Sequence, residues 1–248
     1  MVECLDVSLQ ELYSLSVESR TLGCQPSLNI YDGMSQIDVP PGFPTRSAGG
    51  HIHLGLQPPI WGRRGGAYSD ERRTLIPMFD MVVGNTCVLL NTGTEQAHRR
   101  LTYGKAGEYR LPAHGAEYRP LSNFWLRDYV LLQFVFGMAH FTVDVLTTSL
   151  KQSKPLDDQL MRYFTVEGVR AAIDKNDPTL AMKNFDSIAG FLEEHGRAYD
   201  PLNRETLPRF RNFLRKSNIE REFPAEGVME RWINTDLENT WFQFISRF

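Results

Sequence analysis

The stretch AGGHIHLG, residues 48–55, places two histidines one residue apart between glycines and apolar residues. Ile52 and Leu54 alternate with His51 and His53, and this two-residue period is typical of a β-strand rather than a helix. The two imidazoles then lie on the same side of the strand, where they could bind a metal ion. A histidine pair that is only hydrogen-bonded or exposed has the same spacing, so the motif alone leaves both interpretations open.

A second candidate site lies in the sequence RRLTYGKAGEYRLPAHGAEYRP, residues 99–120. The proline and glycine of PAHG predict a hairpin connection between two short strands, residues 107–111 and 116–120. Charged residues then lie opposite each other on one face of the sheet. These could be ordinary cross-strand ion pairs on a solvated face, each contributing at most about 1 kcal/mol. The predicted pairs are Arg110 with Glu117 and Glu108 with Arg119.

Four arginines close together in this stretch indicate a phosphoryl group as the substrate, because the guanidinium group is permanently charged and binds phosphate through two parallel hydrogen bonds. A carboxylate and an imidazole on neighbouring strands could hold Mg²⁺ or Mn²⁺ against that phosphate. The sequence contains neither the P-loop spacing nor the GxGxxG motif. A nucleotide would therefore be bound by a sheet. The four residues are Arg99, Arg100, Arg110 and Arg119.

The composition excludes several classes of protein. The chain has 248 residues, 42% hydrophobic content and a net charge of -3, which is ordinary for a globular protein and gives no reason to expect nucleic acid as a partner. Its three cysteines form no disulfide or zinc pattern and favour a reducing compartment. We find no signal peptide, and we predict that the most apolar segment, residues 129–143, is a buried helix too short to span a bilayer. A cytoplasmic protein that binds no membrane is the expectation.

The patterning of the chain predicts a mixture of helices and strands. Residues 4–23 have apolar positions at helical spacing, and residues 24–46 are rich in Pro, Gly, Ser and Asp, which is typical of a long ordered loop. Residues 57–68 are predicted to be loop as well. The C-terminal third is predicted to be all helical, with breaks at Asp177-Pro178, Asp200-Pro201 and Pro224. Two further helices are predicted, one from Ser69-Asp70 to Leu90 and one over residues 124–150 with Ser122-Asn123 as its cap.

Three motifs in order, AGGHIHLG, RRLTYGKAGEYR and GAEYRPLSNFWL, closely resemble the phage-encoded carboxylate–amine ligases of the glutamine synthetase-like fold, the φEco32-like type 2 amidoligases. The resemblance covers about residues 20–150. It implies an α+β fold in which an antiparallel sheet binds ATP and two or three divalent ions. The substrate carboxylate takes the γ-phosphoryl group, and an amine then displaces phosphate. We accordingly predict an amidoligase core over residues 1–152 and a helical region over residues 153–248.

The resemblance also implies roles for individual residues. His51 and Glu117 would be ligands of Mg²⁺ or Mn²⁺, and His53 would contact the nucleotide phosphates. Arginines 100, 110 and 119 would stabilise the transferring phosphoryl group, Arg110 also binding the nucleotide. Lys105 is a further candidate nucleotide contact. The catalytic residues implied are Arg100, Arg110 and Arg119; the nucleotide-binding residues are His53, Lys105 and Arg110; the metal ligands are His51 and Glu117.

The sequence also departs from the family pattern. Members usually open with strands bearing an Asp-Pro-Glu-type motif and a second acidic stretch, and the expectation here is that these N-terminal strands are missing, so that the sheet is incomplete. A second polypeptide could supply them, the chain could be a fragment, or a protein without catalysis could keep a binding or structural role. In the last case the exposed sheet edge would pair with a partner or a second copy. A cupin-like metal protein is the weakest alternative, because no Glu follows the second histidine at the cupin spacing.

Overall fold

The histidine strand and the charged hairpin lie side by side in one sheet. The structure is a computed structural model that describes residues 4–20, 27–35, 44–55, 63–64, 67–68, 72–93, 95–113, 115–151, 156–216, 219–224, 226–234 and 240–248. Within these ranges five strands form an antiparallel sheet in the order β3-β2-β8-β9-β5, and two shorter pairs, β1-β4 and β6-β7, stand apart from it. The strands are β1 (Cys4–Asp6), β2 (Ser27–Asn29), β3 (Gly33–Ser35), β4 (Thr45–Ser47), β5 (Ile52–Gly55), β6 (Arg63–Arg64), β7 (Ala67–Tyr68), β8 (Glu108–Arg110) and β9 (Gly115–Tyr118).

The predicted histidine strand and hairpin register are both confirmed. Ile52 and Leu54 are buried in β5 whereas His53 is exposed, so the alternation of apolar and polar residues in the sequence matches the alternation of buried and exposed side chains. In the hairpin, Arg110 pairs with Glu117. One face of the sheet therefore packs on the hydrophobic core, and the opposite face, which we call the polar face, carries the ionisable side chains.

The prediction of a loop over residues 24–46 is wrong in part, because this stretch contains β2, β3 and β4. Strand β2 pairs with β8, so the hairpin lies inside the sheet and not at its edge. The sequence does contain a local signal for the turn between β2 and β3. The Asn29 side chain accepts a hydrogen bond from the backbone N–H of Tyr31 at 2.9 Å, and Gly33 has a positive φ of 82°, two features of a tight turn. Strands of three residues are too short to be recognised by alternation.

The predicted helix over residues 4–23 is interrupted. Its first residues form β1, and helix α1 (Leu9–Ser14) begins only after Ser8, whose hydroxyl accepts from the backbone N–H of Glu11 at 3.2 Å. The Glu11 carboxylate accepts in return from the Ser8 N–H, which completes a capping box. Helix α2 (Val17–Arg20) follows. The predicted end at residue 23 lies outside the described residues.

Helices cover the core face of the sheet. The helix predicted to end at Leu90 is found as two helices joined by a π-helical turn, Asp80–Gly84, and its predicted cap lies outside the described residues. The predicted loop over residues 57–68 contains the short pair β6-β7. The helices of this part of the chain are α3 (Arg72–Phe79), α4 (Asn85–Leu90) and α5 (Glu95–Arg99).

The long central helix begins later than predicted. Ser122 caps a short 3-10 helix, Asn123–Arg127, and Asp128 is extended. Asp128 accepts from the backbone N–H of Val130 at 2.9 Å, and helix α6 (Tyr129–Lys151) starts there. A second residue with capping chemistry therefore restarts the helix.

Helix α6 has the length and composition of a membrane-crossing helix, with a mean hydropathy of 1.6 in an 18-residue window within Tyr129–Leu150, so the prediction that this segment is too short to span a bilayer is wrong. Its packing is that of a buried helix, as predicted. The Phe134 ring lies 4.4 Å from the ring of Phe210 and 5.7 Å from that of Trp241, centroid to centroid.

Every element described after residue 156 is helical, and the predicted breaks are confirmed. Asp177 caps α9 through the backbone N–H groups of Thr179 and Leu180. One hydrophobic cluster contains residues from both sides of the proposed 152/153 boundary, which stays a prediction. The helices are α7 (Leu156–Met161), α8 (Val166–Asp174), α9 (Pro178–His195), α10 (Leu207–Lys216), α11 (Ile219–Glu222), α12 (Val228–Asn234) and α13 (Thr240–Ile245), with a 3-10 turn at Asp200–Leu202.

Candidate functional site

Three predicted site residues form a row across the polar face. In the strand register, His53 of β5 is paired with Glu117 of β9, and Glu117 is paired in turn with Arg110 of β8. Because all three strands are antiparallel and the pairs are direct, the side chains of the row project from the same face. The sheet thus brings together residues that lie far apart in the sequence.

The Glu117 carboxylate is the centre of this arrangement and is almost fully buried. One oxygen, Oε2, accepts from Nε and Nη2 of Arg110 at 2.9 and 2.6 Å. The other, Oε1, lies 2.8 Å from Nδ1 of His51 and 3.3 Å from Nε of Arg119, while Nε2 of His53 lies 3.9 Å from Oε2. Burial raises the pKa of Glu117, but the hydrogen bonds from Arg110, the charge of His51 when it is protonated and the charges of the arginines outweigh it, so the pKa is lowered.

Arg119 is buried beside Glu117 and is held by several partners. Its Nη1 donates to the hydroxyl of Ser27 at 2.6 Å, and its Nη2 donates to the hydroxyl of Tyr103 at 3.0 Å. The guanidinium carbon also lies 4.7 Å from the centre of the Tyr103 ring. A guanidinium so fixed cannot swing toward a ligand, and we therefore regard Arg119 as a fixed positive charge beneath the polar face.

His51 is engaged at both ring nitrogens, by Glu117 at Nδ1 and by the Tyr103 hydroxyl at Nε2. Burial is the largest cause lowering its pKa to about 4; the Glu117 charge raises the pKa, and the nearby arginines lower it further. The imidazole is therefore neutral at pH 7. The contacts fit a tautomer in which Nδ1–H donates to Glu117 and Nε2 accepts from Tyr103.

Arg110 and His53 are the most exposed members of the cluster, and His51 is less exposed. The side chain of Arg110 is 31% exposed and that of His53 is 52% exposed, whereas Glu117 is 1% exposed. An incoming ligand therefore meets Arg110 and His53 first.

Arg100 and Lys105 face a different part of the molecule. Arg100 is buried, and its Nη1 donates to Oδ1 of Asn176 at 2.7 Å, at the end of α8. The charges of Arg100 and Lys105 both lower the pKa of Asp174, although burial raises it more. Their assigned roles in phosphate and nucleotide binding stay predictions.

Glu108 was predicted to pair with Arg119. Its Oε2 accepts from the backbone N–H of Gly104 at 2.9 Å, and its backbone carbonyl accepts from the Arg119 N–H at 3.1 Å. Burial raises the pKa of Glu108, and the charge of Arg119 offsets this in part. Glu108 thus stabilises the loop before β8 and is buried rather than on the solvated face that ordinary ion pairs would form.

Sequence reasoning assigned no role to Tyr103 or Ser27, both of which contact Arg119. Tyr103 lies within the motif RRLTYGKAG, and the glycine that follows it was the available signal. Gly104 has a φ of 82°, and a Cβ atom there would lie 2.2 Å from Nη1 of Arg99. This glycine lets the Arg99 guanidinium pack against the turn, where it donates to the carbonyl of Pro120.

The residues present do not fit a resident divalent ion. Both oxygens of Glu117 and both nitrogens of His51 are occupied by other side chains, and two guanidinium groups flank the carboxylate. Mg²⁺ and Mn²⁺ prefer carboxylate oxygens and water. Among the residues that the structure describes, no group of three or more His, Cys, Asp or Glu side chains could hold a metal ion. The assignment of His51 and Glu117 as metal ligands therefore rests on the resemblance alone.

Comparison with known proteins places the chain in a family. No curated protein and no solved structure matches it. The model of one family, described as phage phiEco32-like COOH.NH2 ligase-type 2, matches residues 40–197, which is more than half of the chain and includes β5 and the charged hairpin. The family name indicates a ligase that joins a carboxylate to an amine. The chain belongs to this phage-type COOH.NH2 ligase family, as its motifs predicted.

Proposed function

We propose that the protein is an ATP-dependent carboxylate–amine ligase of the glutamine synthetase-like type, in which the polar face holds the nucleotide phosphates. The observation that carries the proposal is the row His53–Glu117–Arg110, backed by the buried Arg119. Positive charge fixed on a sheet before the substrate arrives is the form of electrostatic stabilisation that phosphoryl transfer requires.

In the proposed reaction a carboxylate oxygen of the first substrate attacks the γ-phosphorus of ATP and ADP leaves. The amine nitrogen of the second substrate then attacks the acyl carbon, phosphate leaves, and the nitrogen loses a proton. Arg110 and His53 would contact phosphate oxygens from the solvent side, and Arg119 would stabilise the developing charge from below. Arg100 and Lys105 are proposed as more distant electrostatic contributors. Mg²⁺ or Mn²⁺ would accompany the nucleotide.

The site is proposed to act on carboxylate and amine substrates in the cytoplasm, that of the host if the chain is phage-encoded, without nucleic acid or membrane as a partner. A second polypeptide or a second copy of the chain could complete the sheet. The alternative is a catalytically degenerate subunit that keeps the fold for binding. The specific observation in its favour is that Glu117 is neutralised entirely by side chains of its own chain.

The reaction class can be tested with hydroxylamine as the amine. Purified protein is incubated with ATP, Mg²⁺ and a mixture of amino-acid and dicarboxylic-acid substrates, and hydroxamate and ADP are measured. We expect ATP-dependent hydroxamate, reduced at least tenfold in Arg110→Gln. The control is Arg215→Gln, which removes an arginine with a similar ion-pair distance, 2.5 Å to Asp186, from a remote helix. Hydroxamate formed equally by Arg110→Gln would contradict the assigned site, and its absence from all three proteins would favour the binding subunit.

A further inference from the structure

We infer that the polar face binds the polyphosphate chain of the nucleotide without a divalent ion held by this chain, and that Glu117 is the counter-ion of the arginines rather than a metal ligand. The inference rests on the proposed function for the identity of the ligand. It departs from the metal site that the resemblance implies.

The charges around Glu117 favour an anion over a cation. Two guanidinium groups, those of Arg110 and Arg119, contact one carboxylate at 2.6 and 3.3 Å. The cluster therefore carries one net positive charge in a partly buried setting. Coulomb interactions are strong there, so a divalent cation is repelled and a phosphate is attracted.

The position of Arg110 between Glu117 and solvent also favours an anion over a metal ion. Glu117 is almost fully buried and both of its oxygens accept from Arg110, so a metal ion bound to the carboxylate would have to replace contacts with the guanidinium group. A phosphate oxygen, in contrast, meets Arg110 without any rearrangement. Arg110 uses Nε and Nη2 on Glu117, and among the contacts of the described residues its Nη1 has none. That N–H group can donate to an incoming oxygen while the ion pair with Glu117 stays intact.

The other carboxylate on this face does not provide a second metal ligand. Glu108 accepts from the backbone N–H of Gly104, and Ser27 hydrogen-bonds to it as well. Among the described residues a divalent ion would therefore find one available carboxylate on this face, already bound by two arginines, where Mg²⁺ requires several oxygen ligands.

The test is calorimetric titration of the full chain with inorganic tripolyphosphate, once with EDTA and once with excess Mg²⁺. We expect binding in EDTA at least as tight as in Mg²⁺, because Mg²⁺ lowers the charge of the probe. Arg110→Gln should weaken binding roughly tenfold or more, since it removes a charged donor. Glu117→Gln should bind several-fold more tightly, because it removes a negative charge next to the anion. Circular dichroism reports whether each variant is folded.

The outcomes separate this inference from the proposed function. Binding that requires Mg²⁺ and disappears in Glu117→Gln would make Glu117 a metal ligand and overturn the inference, while leaving the ligase proposal intact. Equal binding by Arg110→Gln, or no binding of tripolyphosphate in either buffer, would also overturn it. If Glu117→Gln fails to fold, the comparison of EDTA with Mg²⁺ in the unaltered protein still decides, because only a metal-dependent site needs the ion.

Discussion

Glu117 and Tyr118 are neighbours in β9 that belong to two separate polar networks on opposite faces of the sheet. Glu117 accepts from Arg110 on the polar face, and Tyr118 donates from the core side to the buried carboxylate of Asp80 at 2.7 Å. Since successive side chains of a strand alternate between faces, one short strand supports both the candidate site and a polar contact inside the core. Changes in each network can therefore be tested separately.

The first prediction concerns the unequal partners of the Arg110–Glu117 ion pair. Glu117→Ala leaves Arg119 buried without its carboxylate and should lower the free energy of unfolding by about 3–5 kcal/mol. Arg110→Ala removes a side chain that is 31% exposed and should cost only about 1 kcal/mol. Urea unfolding of both variants measures this difference. Equal losses would show that Arg119 does not depend on Glu117.

The second prediction concerns pH. Burial raises the pKa of Asp80 to about 7 against the hydrogen bonds from Tyr118 and Tyr31, which lower it. A carboxyl group whose pKa is higher in the folded than in the unfolded protein contributes stability that is complete below about pH 4 and is lost as the pH rises through 7.

The free energy of unfolding of the native protein, relative to that of Asp80→Asn, should therefore fall between pH 5 and pH 8. Asparagine cannot titrate, so the difference between the two proteins isolates Asp80 from the other acidic groups. Denaturant unfolding at several pH values measures it. Parallel curves for the two proteins would show that Asp80 is ionised throughout this range.

The third prediction uses two glycines with the same φ of 82°. Gly33→Ala adds a Cβ atom with no atom within 4 Å, so only the left-handed backbone is penalised, by about 1–2 kcal/mol. Gly104→Ala has the same backbone cost and also places Cβ against the Arg99 guanidinium. We expect Gly104→Ala to destabilise the protein by about 1–3 kcal/mol more than Gly33→Ala, as overpacking does. Thermal and urea unfolding compare the two, and similar losses would contradict the close packing at Gly104.

The fourth prediction concerns the protonation of His51. Because burial lowers its pKa to about 4, the ring should stay neutral between pH 5 and pH 8. NMR of the imidazole carbons and nitrogens across this range should show no titration, with the proton on Nδ1. The urea-unfolded chain is the control and should titrate near 6.5. A midpoint above 6 in the folded protein would mean that the Glu117 charge outweighs burial.

Much of the site could be predicted from sequence because it depends on strand periodicity and hairpin register. The alternation around His51 and His53 and the short PAHG connection fix which side chains share a face, and the pairing of Arg110 with Glu117 followed. These signals are local, so tertiary contacts did not alter them.

The parts that could not be predicted depend on contacts between distant segments. Strand β2 is too short to have a recognisable pattern. It forms through backbone pairing with β8, a strand that lies far away in the sequence. Burial of Glu117 and Arg119 also depends on Tyr103 and Ser27, which reach them from separate segments. For this reason a charged hairpin that suggested a solvated face is found as a buried ion cluster. Ser122 and Asp128 both cap helical turns, and residue spacing alone does not show that the long central helix begins at the second of them.

The most direct test of the account is calorimetric titration of the full chain with a non-hydrolysable ATP analogue, with Arg110→Gln and Arg215→Gln as matched variants. If the polar face holds the nucleotide phosphates, the native protein and Arg215→Gln will bind with the same affinity, and Arg110→Gln will bind at least about tenfold more weakly. Identical affinities in all three proteins would place the nucleotide elsewhere, and no binding by any of them would contradict a nucleotide site in this chain.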